Sequence, residues 1–334
     1  MRRIFITSSV KKLAEDYRDN LFVGRNKKFQ KPLANLSSFE NEIRTNNTKW
    51  SPRWNDYADY VKAIIDHFQE ILTLKPSEFD GFQKKYFSML SFDEIKSTGW
   101  KFSSSVAFYL KIVELMRYDE VRASEMIPYI EKLGIRTCVY CNSQYTVTTH
   151  VNKNEVKGGY QIDHYYPKAK YPFLCISFFN LQPSCGCCNN WKEEKRIQFN
   201  LYTDISGVGI INPFSFRLDK ASMVRYMLSQ DCHTLEIVFD SNDKNLLDNH
   251  QKVFHTSKLY ENFKDEAEEL LWKKKISNSA YIEQLQVMFQ RVFPNVKESF
   301  NRYLFGIYDQ EKEIHKRPLT KMKQDIARQL KLIK

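Results

Sequence analysis

Apolar side chains recur at helical spacing through much of the first 135 residues. In residues 55–74, NDYADYVKAIIDHFQEILTL, the side chains of Tyr57, Tyr60, Val61, Ile64, Ile65, Phe68 and Ile71 fall on one stripe, which predicts an amphipathic helix. Asn55 is placed to cap its start and Pro76 to close it from beyond its end. Residues 103–118 and 123–135 read as further helices, the second stopping at Gly134. Residues 26–54 are polar and aperiodic, which predicts a surface loop. His67 falls inside the long helix, where packing or solvent contact is its expected role.

The period then changes. QYTVTTHV (144–151) alternates and is β-branched; the polar turn NKNEVKGG follows, then YQID (160–163). That predicts a β-hairpin carrying Asp163 and His164 at the end of its second strand. NNWKEEKRIQF (189–199) reads as a short helix and HTLEIVFD (233–240) as a strand. Helices dominate after that, over 257–275 and 279–293. The expected class is α+β in three parts: a mainly helical region 1–133, a cysteine-rich domain 134–200, and a mixed, mostly helical region 201–334.

Charge narrows the partners. The chain of 334 residues carries a formal net charge of +11, its basic excess spread over 1–34, 131–200 and 301–334, and this points to a polyanion. Lys321, Lys323 and Arg328 are expected to contribute to that contact. Nothing resembles a signal peptide and no apolar run reaches the length of a membrane span, so no membrane partner is expected and the cytoplasm is the expected location. Thiols stay reduced there, so clustered cysteines point to a metal rather than to disulfides.

Six of the seven cysteines lie between positions 138 and 188. Zinc takes four tetrahedral thiolate or imidazole ligands, and two C-x-x-C knuckles supply such a set: Cys138, Cys141, Cys185 and Cys188. Cys187 lacks the knuckle spacing, while Cys175 and Cys232 read as small buried hydrophobes. A four-thiolate zinc is closed and therefore structural. Inside its loop stand Asp163, His164 and Asn180, and Asn189 follows the last knuckle. Asp163 and the side-chain carbonyl of Asn189 are oxygen donors suited to Mg²⁺ or Mn²⁺. His164, with an ordinary pKa near 6.5, suits general-base work. Tyr165, Tyr166 and Trp191 read as core or interface aromatics, and His150 as exposed and unliganded.

The linked pattern C-x-x-C … DH-x-x-P-K … NL-x-P-S-C-x-x-C-N-x-x-K resembles the zinc-stabilised HNH endonucleases of the ββα-metal, or His-Me finger, class. The resemblance covers residues 138–195. It implies a ββα-metal domain in which His164 activates water, Asn180 orients its imidazole, and Asp163 with Asn189 holds the cation. Asn189 stands where many members carry a final histidine, and Asn190 is the alternative ligand. Lys192 and Lys168 are expected to contact nucleic acid, with DNA favoured and RNA such as tRNA left open. The longer pattern is similar to HNH nuclease subunits of bacterial Septu-type and retron-associated anti-phage systems, which implies an ATPase partner. The competing expectation is a non-catalytic treble-clef zinc module that binds nucleic acid or protein.

Overall fold

The computed structural model describes residues 1–333 apart from 46–48, 103, 153–154 and 296–299. The fold is α+β, with helices supplying most of the structure and, among the described residues, two strands in each sheet. Contacts divide it into two compact units, one of Arg3–Ile135 and Thr146–Gly207, the other of Met1–Arg2, Arg136–Tyr145 and Val208–Lys334. The expected domain 134–200 is thus shared between two units. The physical reason is Asn142, whose side chain binds Thr137, Ile314 and Lys321 and so ties residues 136–145 to the C-terminal region.

The first unit has a helical, aromatic-rich core. Phe87 and Phe173 stack at 4.0 Å, and Tyr60 meets Phe87 and Phe108 edge-on. The stripe of residues 55–74 faces this core, with Tyr57, Tyr60, Val61, Ile64, Phe68 and Ile71 buried. The helix there is broken, however, into Trp54–Asp66 and Phe68–Thr73. At the break the His67 ring packs 3.9 Å from Tyr86 and bonds to Glu70. Asn55 lies within the first helix instead of capping it.

The expected loop over 26–54 is a correction. It contains the helix Pro32–Thr45, whose buried Leu36, Phe39 and Ile43 lie three and four residues apart. Proline at the first helical position costs nothing, because the amide it lacks would have no partner there. Asn35 hides the pattern: it is a polar residue on the buried face, bonded to the carbonyl of Leu115.

Strands of this unit are β1 (Ile4–Phe5), β2 (Thr148–Asn152), β3 (Glu155–Gly158), β4 (Gln161–His164), β5 (Leu181–Ser184) and β6 (Tyr202–Thr203). The hairpin differs from the expected one. β2 pairs with β3, whereas β4 pairs antiparallel with β5, aligning Asp163 with Gln182 and His164 with Leu181. All of β5 is buried and β2 is mostly exposed, so β4 takes the partner that covers its apolar face.

In the second unit, β7 (Phe214–Leu218) and β8 (Ile237–Ser241) pair antiparallel, and Phe214, Phe216 and Leu218 face the core. The strand predicted from 233 begins only at Ile237, because Cys232–Thr234 forms a 3₁₀ turn. Helix Thr320–Gln329 packs on β7: Asp325 accepts the Phe216 amide, and Gln329 bonds the amide and carbonyl of Leu218. Among the described residues no helix is long and apolar enough to cross a membrane.

Candidate active site and metal centre

The thiol groups of Cys138, Cys141, Cys185 and Cys188 all lie within 4.8 Å of one another. Four sulfurs about 2.3 Å from a tetrahedral zinc stand about 3.8 Å apart, so the group fits that ion. Local bonds reach two of the sulfurs. Cys185 Sγ accepts the Cys188 amide at 3.5 Å, and Cys141 Sγ accepts the amide and hydroxyl of Ser143 at 3.5 and 3.2 Å. The first knuckle turns through Asn142 at φ 53°. The second opens the helix Gly186–Lys192, which starts three residues earlier than predicted. Cys187 is exposed, and Cys175 is fully buried, its thiol pushed well above the usual range by burial. Cys232 is a correction: it is half-buried in an exposed turn beside Asp231 and His233.

A cleft of about 870 Å³ opens over the end of β4, lined among others by Asp163, His164, Lys168, Asn189, Asn190 and Arg122. The Asp-His pair is part of its lining. β4 continues through both residues and the chain bends only afterwards, at Tyr165 and Tyr166. His164 Nε2 is 2.9 Å from the carbonyl oxygen of Cys175. A carbonyl only accepts, so Nε2 carries the proton and Nδ1 keeps its lone pair. The ring packs 4.6 Å from that of Tyr118, whose hydroxyl donates to Ile162 O. Burial, and then the charge of Lys168, lower the His164 pKa to about 3, so the imidazole is neutral throughout the physiological range.

Asn180 acts differently from the expectation. Its oxygen accepts the Tyr166 amide at 2.7 Å, and its nitrogen donates to the carbonyls of Tyr166 and Leu174. It therefore fixes the segment between His164 and Cys175, and so places the carbonyl that holds the imidazole. Its influence on His164 runs through the backbone and not through a direct bond.

Lys192 is the larger correction. As a phosphate contact it should reach the surface, yet its side chain is 0% exposed. Its ammonium lies 3.2 Å from each oxygen of Asp163 and 2.6 Å from the carbonyl of His164. The helix ends at Lys192 and the chain reverses at Glu193, φ 49°. Lys168 lines the cleft and stands 4.6 Å over the Tyr118 ring. Asn189 is half-buried and Asn190 exposed, both on the cleft wall.

Among the cleft residues that escaped the sequence reading are Tyr118, Asp119 and Arg122, the last two ion-paired at 2.9 Å. They belong to a helical segment far from the motif, and nothing in their local pattern marks them. His150 is exposed as expected but bonds to Glu131. Tyr166 is a buried core aromatic whose hydroxyl bonds to Asp80, and Trp191 is exposed. No protein family, curated protein or solved structure matches this chain.

Proposed function

We propose that this cleft hydrolyses a phosphodiester bond of nucleic acid, DNA in preference to RNA, with the four-cysteine zinc as a structural element. The observation that carries the proposal is the state of His164: its Nε2 is fixed on a backbone carbonyl, and its unprotonated Nδ1 belongs to a ring on the cleft wall. Such a nitrogen can take the proton of an attacking water. At about 3 its pKa is low for a base in the resting protein. Burial lowers it first, then the charges of Lys168 and Lys192; an anionic phosphate entering beside Lys168 offsets that charge and raises the value.

The donor set on the cleft is of oxygen type: the Asp163 carboxylate and the side-chain carbonyls of Asn189 and Asn190. These residues would hold a hard divalent cation such as Mg²⁺ or Mn²⁺, which would neutralise charge on the scissile phosphate. Lys168 supplies positive charge to the same cleft, where Arg122 is paired with Asp119, and Asn180 keeps the base in place. The ATPase partner and the anti-phage role rest on the resemblance alone.

Purified protein incubated with plasmid, single-stranded DNA and total RNA, in Mg²⁺, Mn²⁺ or chelator, tests the proposal. Cleavage should require the divalent ion. His164→Gln keeps a donor for the Cys175 carbonyl and removes the base, so cleavage should fall by about 10²–10⁴-fold with zinc content unchanged. Undiminished cleavage by this variant would remove His164 from the mechanism and leave the non-catalytic zinc module as the better description.

A further inference from the structure

The Asp163 carboxylate, the only charged oxygen donor named for the cation, already faces the ammonium of Lys192. The pair is formally neutral, and the remaining donors, Asn189 and Asn190, carry no charge. We propose that Lys192 makes cation binding conditional on the substrate: the cation is held weakly until a phosphodiester adds its own negative charge to the site. This deepens the proposed function and rests on it. A lysine with no exposure cannot swing into solvent as a surface lysine would, so its repulsion persists when a cation approaches. Its bond to the His164 carbonyl fixes the ammonium beside the base as well. The other carboxylates on the cleft are paired as well, Asp119 with Arg122, Glu193 with Lys195 and Glu194 with Lys96, and Lys168 adds positive charge. Cations of this kind commonly complete their shells with substrate phosphate, and a protein site without net negative charge makes that contribution obligatory. The consequence is a centre that does not fill in free protein and assembles on nucleic acid.

Calorimetric titration of Mn²⁺ into the zinc-loaded full chain tests this, on the His164→Gln background so that an added single-stranded oligonucleotide stays intact. The oligonucleotide should tighten Mn²⁺ binding by at least about tenfold, a modest share of what a unit charge exerts at a few ångströms. Lys192→Gln keeps donors toward Asp163 and the His164 carbonyl but removes the charge. It should tighten Mn²⁺ binding without oligonucleotide by about tenfold and shrink the effect of the oligonucleotide. Lys192→Arg should leave both as in the parent. Equal Mn²⁺ affinity with and without oligonucleotide overturns the proposal, and this needs no lysine variant to fold. An unchanged or weaker affinity in folded Lys192→Gln also overturns it. If Asp163→Asn still abolishes Mn²⁺ binding, only the role of Lys192 fails. If no variant binds Mn²⁺ even with oligonucleotide, the catalytic cation falls with it.

Discussion

Asn142 occupies the left-handed region at φ 53°, fully buried, with both ends of its side chain engaged. Alanine there would meet the backbone strain and leave the Lys321 amide without its acceptor, whereas glycine would avoid the strain alone. Asn142→Ala should cost roughly 3–5 kcal/mol and Asn142→Gly about 1 kcal/mol less, read as the shift in urea midpoint. Equal costs would mean that the turn carries no strain. Asp163 needs similar care as a test residue. Asp163→Ala leaves the Lys192 ammonium buried without its carboxylate, a loss of roughly 3–5 kcal/mol that masks any effect on catalysis. Asp163→Asn also removes the charge but keeps a carbonyl acceptor for that ammonium, and is the milder probe. The Asp-His dipeptide was legible because its chemistry is written in two adjacent letters. Its ion-pair partner, 29 residues away, was not, because nothing local says which way Lys192 turns.

At the scale of elements, the two knuckles were the most legible feature, since C-x-x-C spacing is itself the geometry of a bidentate thiolate grip. Elemental analysis should find one zinc per chain in the parent and none in Cys138→Ser or Cys185→Ser, and the Cys138 variant should also lose thermal stability. Parent protein that is folded and free of zinc would contradict the site. Strand pairing was less legible. β2 and β4 both alternate, and only the burial of β5 decides which strand β4 joins. The helix Pro32–Thr45 was missed because Asn35 interrupts its apolar face. The break at His67 was invisible as well: periodicity runs through it, and the ring contact made there, with Tyr86 from another helix, leaves no local mark.

For the whole molecule, the basic excess is partly internal. Lys321 pairs with Asp325, Lys323 with Glu266, and Arg328 donates to the Asp309 carbonyl, so these three serve the fold instead of standing ready for a polyanion. Acid sensitivity follows from histidines. His250 and His315 are buried, donate through Nε2 to the carbonyls of Tyr140 and Arg2, and have pKa values lowered to about 3, chiefly by burial. Unfolded, each titrates near 6.5, so between the two values the unfolded chain binds more protons. Stability from these groups is complete above about pH 6.5 and declines below it, by up to about 1.4 kcal/mol per pH unit for each. Denaturation midpoints at pH 7 and pH 5 should differ accordingly, and less so in a His250→Asn, His315→Asn double variant. Identical slopes in parent and variant would place the acid sensitivity elsewhere.

The parallel pairing of β1 with β6 joins Ile4 to Tyr202 and Phe5 to Thr203. On a ribosome adding about 5–20 residues per second, the first strand waits about 10–40 s for its partner to be made. The wait is longer for residues 136–145, since Asn142 binds the backbone at Ile314, Leu319 and Lys321, near the other end of the chain. Throughout that interval Cys138 and Cys141 are translated but not yet enclosed. Any metal that the four cysteines take up in that interval would stay open to exchange until the last of these contacts forms.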